Sequence, residues 1–240
     1  MSSATKILPT LQYFQFRGRA LASRVALFNS LGKDGWVDQR VSLPRFKKVP
    51  KVMYPDAPVD RVRTADYITN NLPQLNLECG TKFSQSHAIA RYAAKLSWDV
   101  PAHQLPEHHI PNLYPKNAKH ALLVDEAVAI VDQILLLTPK DEDAATRAKN
   151  RQAYHTTGFL RVAMELLEGR LEVSGGPYLL GKDLSIGDLY IRAPLGDLFD
   201  LGQFDGVPRE FYESFPNIQK CCSAVPEHPL LKTYHEHYTN

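Results

Sequence analysis

The sequence predicts an α/β domain followed by an all-helical domain. Within residues 1–97 the spacing of apolar residues changes from the alternation of strands to the three-to-four-residue period of helices. Residues 118–240 carry long helical stripes instead. Between them, residues 98–117 contain four prolines, which interrupt regular structure and mark the expected Pro-rich linker.

The first predicted element is a strand in residues 8–16, which are rich in aromatic side chains. Leu21, Val25 and Phe28 then recur at helical spacing, and Gly32 offers a C-terminal stop for that helix. The chain is therefore expected to begin with a strand, a loop and a helix.

A second strand is predicted in residues 36–41, and a long irregular segment, residues 44–69, follows it. Residues 70–86 alternate apolar and polar side chains around a turn at Cys79, which is typical of a β-hairpin. Apolar residues again recur at helical spacing from Ile89 onward, so a helix is expected directly after the hairpin.

The C-terminal domain is predicted from apolar stripes in residues 123–137 and 159–167. Ser185 and Asp188 have the spacing of a capping box, in which two side chains satisfy free N–H groups at a helix start. Pro194 is expected to kink the helix that begins there, because proline lacks the N–H that a helix interior needs.

The composition is that of an ordinary globular protein, with 28 basic and 26 acidic residues and a formal net charge of +2. Without a concentrated run of one sign, nucleic-acid binding is not indicated. The sequence lacks a signal-like start and an apolar run of membrane-spanning length, so the cytoplasm is the expected location. The three cysteines lack the spacing of metal ligands, and no metal is expected.

Three segments of the α/β domain are expected to form one site if the hairpin lies beside the first strand. Tyr13 lies near the end of that strand, and a phenol there can favour an ionised thiol by donating a hydrogen bond. The bond between Leu72 and Pro73 permits a cis peptide, which would expose the backbone of Leu72 to an extended peptide. Gln85 and Ser86 begin a predicted helix, whose free N–H groups attract a carboxylate. A small anionic peptide is the predicted ligand.

Four stretches that together cover both domains resemble the cytosolic glutathione transferases. They are YFQFRGRA at 13–20, NLPQLNLECGTKFSQSHAIARYAA at 71–94, YLLGKDLSIGDLYI at 178–191 and FPNIQKCCSAVPEHPLLKTY at 215–234. The tyrosine and the RGRA sequence look most like the sigma class, with the mu and alpha classes as neighbours.

This resemblance implies a thioredoxin-like N-terminal domain, a helical C-terminal domain and a homodimer that binds glutathione as co-substrate without a metal. By position, Tyr13 matches the tyrosine that stabilises the glutathione thiolate, and Arg19 matches an arginine close to the thiol. These two residues are the expected catalytic groups.

The remaining contacts with glutathione are also carried over by position. Leu72 matches the backbone that pairs with the cysteinyl unit, and Pro73 matches the family's cis-proline. Gln85 and Ser86 match the pair that holds the γ-glutamyl carboxylate. Asp132 is the candidate for the acidic residue that a partner subunit lends to the glutathione amine, although strict spacing from Val124 and Asp125 points to Gln133.

The chain departs from the family pattern at two places. The glutamate that commonly follows RGRA is replaced by Leu21. The residues that contact the glycine carboxylate of glutathione have two alternatives, because the segment of residues 44–69 is longer than the sigma pattern. The alternatives are Phe46, Lys47 and Lys48, or Arg61 and Arg63.

The resemblance implies an enzyme that conjugates the glutathione thiolate to hydrophobic electrophiles, with the thiol activated by the hydroxyl of Tyr13. Two alternatives stay open: a glutathione-dependent lipid isomerase using the same site, and a non-enzymatic binding or structural module of this fold. Leu21 and the long segment 44–69 motivate the module, because both alter the walls of the site. Four retained residues argue for the enzyme: Tyr13, Arg19, Gln85 and Ser86.

Overall fold

A computed structural model describes residues 7–49 and 66–238 of the chain. The chain divides into two compact units. The first unit contains the residues up to His109 together with those from Thr233 onward, and the second contains Ile110–Lys232. The domain bounds expected from the sequence, residues 1–97 and 118–240 with a linker of residues 98–117, stay a prediction.

The first unit is built on a mixed sheet of four strands among the described residues, in the order β2-β1-β3-β4. Strand β1 is parallel to β2 and antiparallel to β3, which is antiparallel to β4. The strands are β1 (Thr10–Tyr13), β2 (Val37–Arg40), β3 (Gln74–Asn76) and β4 (Lys82–Ser84), and the helices are α1 (Leu21–Leu31), α2 (Leu43–Lys48) and α3 (Ser86–Lys95). This arrangement confirms the predicted α/β fold and the hairpin.

Helix α1 is buried along almost its whole length and packs against α3. Two buried serines of α1 donate hydrogen bonds to carbonyls of α3: the hydroxyl of Ser23 to Ser86 at 3.3 Å and that of Ser30 to Ala93 at 2.8 Å. Small polar residues allow this close approach while satisfying their own hydroxyls. The start of α3 is therefore fixed against α1.

Strand β1 is shorter than the predicted strand of residues 8–16. The pairing of β1 with β2 ends at Tyr13 and Arg40. Beyond it, the carbonyl oxygens of Phe14 and Phe16 accept hydrogen bonds from the side chain of Arg24. The arginine takes the place of a strand partner, so the aromatic run continues as a loop.

The second unit is helical, as predicted. Its helices are α4 (Ala118–Leu137), α5 (Ala144–Thr156), α6 (Phe159–Ser174), α7 (Ile186–Tyr190), α8 (Asp197–Asp200), α9 (Arg209–Glu213) and α10 (Pro216–Glu227), and α11 (Pro229–Tyr238) ends in the first unit. In the described part of the chain, no helix combines the length and apolar character needed to cross a membrane.

The predicted capping box and kink are both present in the second unit. The side chains of Ser185 and Asp188 form the reciprocal bonds of a capping box at the start of α7. A π-helical segment, Ile191–Gly196, follows α7, and Ala193 within it has non-helical backbone angles directly before Pro194. The local chemistry of these residues was sufficient to predict both features.

Candidate active site

The hydroxyl of Tyr13 lies at the end of β1, and only 4% of the residue is exposed. Its oxygen accepts a hydrogen bond from the backbone N–H of Arg19 at 3.2 Å, so the hydroxyl proton is available to another acceptor. Burial raises the pKa of Tyr13, and the N–H of Arg19 and the charges of Arg19 and Arg24 only partly oppose this rise. The phenol is therefore a protonated hydrogen-bond donor at neutral pH.

Gly18 allows the loop after β1 to reach Tyr13. Its φ is +38°, in the region that glycine favours. A Cβ at this position would lie 2.7 Å from the hydroxyl oxygen of Tyr13 and 3.0 Å from the ring of Phe16. The short 3-10 turn Gly18–Ala20 then presents the N–H of Arg19 to the phenol. A side chain at position 18 would occupy the space beside the hydroxyl.

Arg24 lies beside the candidate site and was not predicted from the sequence. Its buried guanidinium donates to the carbonyls of Phe14 and Phe16, at 2.8 and 2.9 Å, and to the carboxylate of Asp38 at 3.0 Å. It also lies 5.6 Å from the centre of the Tyr13 ring. A signal was present in the sequence: Arg24 falls on the same helix face as Leu21, where a lone charge among apolar residues requires buried partners.

Leu72 and Pro73 lie directly before β3 and are joined by a cis peptide bond. The pairing of β3 with β1 begins at Gln74, so the backbone of Leu72 lies beyond the ladder. Leu72 belongs to one buried apolar cluster with Tyr13 and Tyr67. The structure therefore brings the cis bond and the tyrosine together, as expected.

Gln85 and Ser86 form the start of α3. Gln85 has φ +74° and ψ +105°, which a residue with a side chain rarely adopts. Such strained angles occur preferentially at functional sites. Ser86, the first residue of the helix, is buried, and its carbonyl is tied to α1 by Ser23. The first turn of α3 is thus held in one orientation.

Aromatic side chains surround the Tyr13 ring. The rings of Phe14 and Phe16 stack with centroids 5.3 Å apart, and both contact the ring of Tyr13. Phe46, on α2, meets Phe14 edge-on at 5.3 Å and Tyr67 at 4.9 Å. An apolar wall therefore flanks the phenol on the loop side.

Two histidines of the predicted linker have structural partners. A ring nitrogen of His108 lies 3.0 Å from the carbonyl of Phe28, and one of His109 lies 2.9 Å from the carbonyl of Asn29. A protonated ring nitrogen at these positions donates a hydrogen bond to the carbonyl. Within residues 7–49 and 66–238, no cluster of three or more potential metal ligands occurs.

Comparison with known proteins identifies the fold. Residues 133–237 match the family model of the glutathione S-transferase C-terminal domain. A sequence search of curated proteins finds no match. Among solved structures, a sigma class glutathione transferase of Fasciola hepatica superposes with a TM-score of 0.67 at 19% identity, covering 98% of each chain.

Two further solved structures share the fold of this chain. Prostaglandin synthase D of Nilaparvata lugens gives a TM-score of 0.66 at 19% identity, covering 95% of this chain and 97% of that one. Monomeric Na-GST-3 of the hookworm Necator americanus gives 0.58 at 21% identity, covering 96% and 97%. This chain has the glutathione transferase fold. The resemblance to glutathione transferases and the fold class predicted from the sequence are confirmed, whereas the sigma class stays a prediction.

The residues expected to bind glutathione fall into three groups in this glutathione transferase fold. Tyr13, Arg19, Leu72, Pro73, Gln85 and Ser86 all lie in the first unit. Asp132 lies on α4 in the second unit. Of the two alternatives for the glycine carboxylate, Phe46, Lys47 and Lys48 lie on α2, whereas Arg61 and Arg63 lie outside the described residues. The roles of all these residues stay predictions.

Proposed function

We propose that this protein is a glutathione transferase in which the hydroxyl of Tyr13 stabilises the thiolate of bound glutathione. The geometry of the phenol is the observation that carries the proposal. The Tyr13 oxygen already accepts a hydrogen bond from the N–H of Arg19, and the raised pKa keeps the phenol protonated at neutral pH. A donor that keeps its proton lowers the pKa of a thiol beside it, because the hydrogen bond favours the charged form.

The proposed reaction is nucleophilic substitution or addition. The thiol of glutathione releases its proton to solvent, and the thiolate sulfur then forms a bond to an electrophilic carbon of the second substrate. With a chloroarene, chloride leaves with the bonding electron pair. The protein contributes position and a larger thiolate fraction, and Arg19 adds positive charge next to Tyr13.

Glutathione binding is assigned to the backbone just before β3 and to the start of α3. The backbone of Leu72, beyond the β3 ladder, would pair with the cysteinyl unit, and Gln85 with Ser86 would hold the γ-glutamyl carboxylate. Phe46 packs against the cluster of Tyr13 and Leu72, which supports the first alternative, Phe46, Lys47 and Lys48, for the glycine carboxylate. Asp132 of a partner subunit would meet the amine, which requires a homodimer.

The second substrate is expected to be an apolar or aromatic electrophile. The stacked rings of Phe14 and Phe16 lie in the loop after Tyr13. They offer an apolar surface beside the expected position of the glutathione sulfur. Cytoplasmic detoxification is the role that fits such a substrate range.

The conjugation rate with chlorodinitrobenzene tests the proposal over about pH 5.5 to pH 9. The wild type is expected to be active. Tyr13→Phe is expected to lower kcat/KM about tenfold or more and to shift its pH dependence toward that of free glutathione, because the thiolate loses its donor. Tyr92→Phe, which removes an exposed hydroxyl on α3, is the matched control and should behave as wild type.

An active wild type that Tyr13→Phe matches at every pH would move thiol activation to another group, with Arg19 the first candidate. A wild type that neither conjugates nor stays on glutathione-agarose would support the non-enzymatic module instead.

Isomerisation of a lipid endoperoxide by the same thiolate is the second candidate. Likeness to the prostaglandin synthase D of Nilaparvata lugens favours it. Conversion of such an endoperoxide, followed by product chromatography, separates the two reactions, since isomerisation leaves glutathione unconsumed. Sedimentation tests the homodimer, which matters because the Necator relative is described as monomeric.

A further inference from the structure

A chain of hydrogen bonds runs from the last helix to the loop that follows Tyr13. The side chain of Arg40 donates to the carbonyl of Tyr238 at 3.2 Å and to one carboxylate oxygen of Asp38 at 3.1 Å. The other oxygen of Asp38 accepts from Arg24 at 3.0 Å. The two terminal nitrogens of Arg24 then donate hydrogen bonds to the carbonyls of Phe16 and Phe14. All these residues belong to the first unit.

The inner part of this chain is closed to water. The side chains of Arg24 and Asp38 are 3% and 5% exposed, and that of Arg40 is 25% exposed. A guanidinium is planar and presents its donors in a fixed fork, so three partners at 2.8 to 3.0 Å allow it a single orientation. A lysine could reach one or two of these acceptors but not all three.

The two carbonyls that Arg24 binds belong to the short segment of backbone that connects Tyr13 to Gly18. Phe14 follows the tyrosine immediately, and Phe16 precedes the turn that delivers the N–H of Arg19. Fixing both carbonyls fixes where that N–H and the hydroxyl of Tyr13 meet. The arginine thus acts on the phenol through the backbone, without a hydrogen bond to it.

We propose that Arg24 is a positioning residue for thiol activation, anchored by Asp38 and, through Arg40, by the end of α11. This proposal rests on the function proposed above, because it assigns to Arg24 the placement of the Tyr13 hydroxyl. It also predicts that a change at the end of α11 reaches the phenol through Arg40 and Asp38.

The decisive experiment measures the pKa of the glutathione thiol in the binary complex, from the ultraviolet absorption of the thiolate. Four proteins form a cycle: wild type, Tyr13→Phe, Arg24→Lys and the double variant. Arg24→Lys is expected to lower kcat about tenfold to a hundredfold, to raise the thiol pKa, and to leave KM for glutathione nearly unchanged. The double variant is expected to match Tyr13→Phe, since a misplaced hydroxyl and an absent one are equivalent.

Additive effects in this cycle would overturn the proposal, because they would mean that Arg24 does not act through Tyr13. A lower yield of folded Arg24→Lys protein with an unchanged thiol pKa would overturn the proposal too. Arg24 would then be a residue that only stabilises the fold. If Tyr13→Phe alone leaves the thiol pKa unchanged, the proposed function fails, whatever Arg24→Lys does.

Arg40→Gln tests the outer link and guards against misfolding of Arg24→Lys, because the Arg40 side chain is partly exposed. We expect a rise in the thiol pKa and a fall in kcat of roughly threefold. Lys33→Gln removes an exposed cation of the same unit and is the matched control. If Arg40→Gln is indistinguishable from Lys33→Gln, the link to α11 is wrong. If Arg24→Lys cannot be folded, Arg40→Gln alone decides, and an unchanged thiol pKa in that variant overturns the proposal.

Discussion

The two units of this protein bury charged side chains in contrasting surroundings. In the first unit, Arg24 lies between the carboxylate of Asp38 and two carbonyls of the loop after Tyr13. In the second unit, the fully buried carboxylate of Asp188 accepts hydrogen bonds from the N–H of Leu179 at 2.7 Å, and from the N–H and hydroxyl of Ser185 at 2.8 and 2.7 Å. The donors around Asp188 are neutral.

This difference in partners has consequences for ionisation and for function. Burial raises the pKa of Asp188 to about 6, although the hydrogen bonds of Ser185 and Leu179 lower it. Asp188 satisfies the first turn of α7 and the backbone of Leu179, so its effect is on folding. Arg24 instead donates to two carbonyls of the loop after Tyr13, where we propose that thiol activation takes place. Burial of a charge alone therefore does not distinguish a folding device from part of an active site; the groups that it binds do.

Removing the carboxylate of Asp188 is expected to have the largest effect, which is on the free energy of unfolding. Asp188→Ala leaves the N–H groups of Ser185 and Leu179 buried without their acceptor, and we expect it to lower the free energy of unfolding by about 3 kcal/mol. Chemical denaturation measures this loss. Asp183→Ala, at an exposed position five residues earlier, is the control and should change stability by less than about 0.5 kcal/mol. Equal losses would mean that Asp188 does not stabilise the helix start.

The same contrast explains how much the sequence could predict. The capping box was predictable because Ser185 and Asp188 are three residues apart, and the cap is complete within one helical turn. The position of Tyr13 at a strand end and the cis bond at Pro73 were predictable for similar reasons, from local propensity and residue type. That they form one site was predicted from the expected pairing of the hairpin with the first strand, and the family resemblance supplied the roles of the residues.

The Arg24 network was not predictable, because its members come from distant parts of the sequence. Asp38 lies on the neighbouring strand and Tyr238 at the end of the last helix, and neither spacing nor periodicity connects them to Arg24. The length of β1 was overestimated for the same reason. Aromatic residues favour a strand through residue 16, but a buried side chain from α1 takes the carbonyls that a strand partner would need.

A methyl group beside the phenol is expected to have the next largest effect, on activity. Gly18→Ala places a Cβ 2.7 Å from the Tyr13 oxygen, so we expect kcat/KM for conjugation to fall about tenfold or more. Gly80→Ala is a close control, because Gly80 also has a positive φ, +83°, but has no atom within 4 Å of an added Cβ. Both variants should lose about 1 kcal/mol of stability from backbone strain. A Gly80→Ala variant that loses as much activity would refute a specific role for the space at Gly18.

The smallest expected effect concerns the pH dependence of stability, and it isolates the charge of Asp188. Its folded pKa of about 6 lies above the ordinary value of 3.8, so the folded state binds more protons between these values, and stability falls as pH rises through that window. From pH 5 to pH 7 this one group should cost about 1.3 kcal/mol. The nearby groups stay protonated over this range, because burial raises the pKa of the Cys221 thiol well above its usual value and that of Tyr178 to about 12.

The Asp188→Asn variant tests this pH dependence, because its side chain cannot ionise. We expect it to be less stable than wild type at both pH values and to lose this part of the dependence of stability on pH. Urea denaturation at the two pH values measures it: an identical slope in wild type and Asp188→Asn would mean that the carboxylate is ionised throughout, and that its hydrogen bonds outweigh its burial.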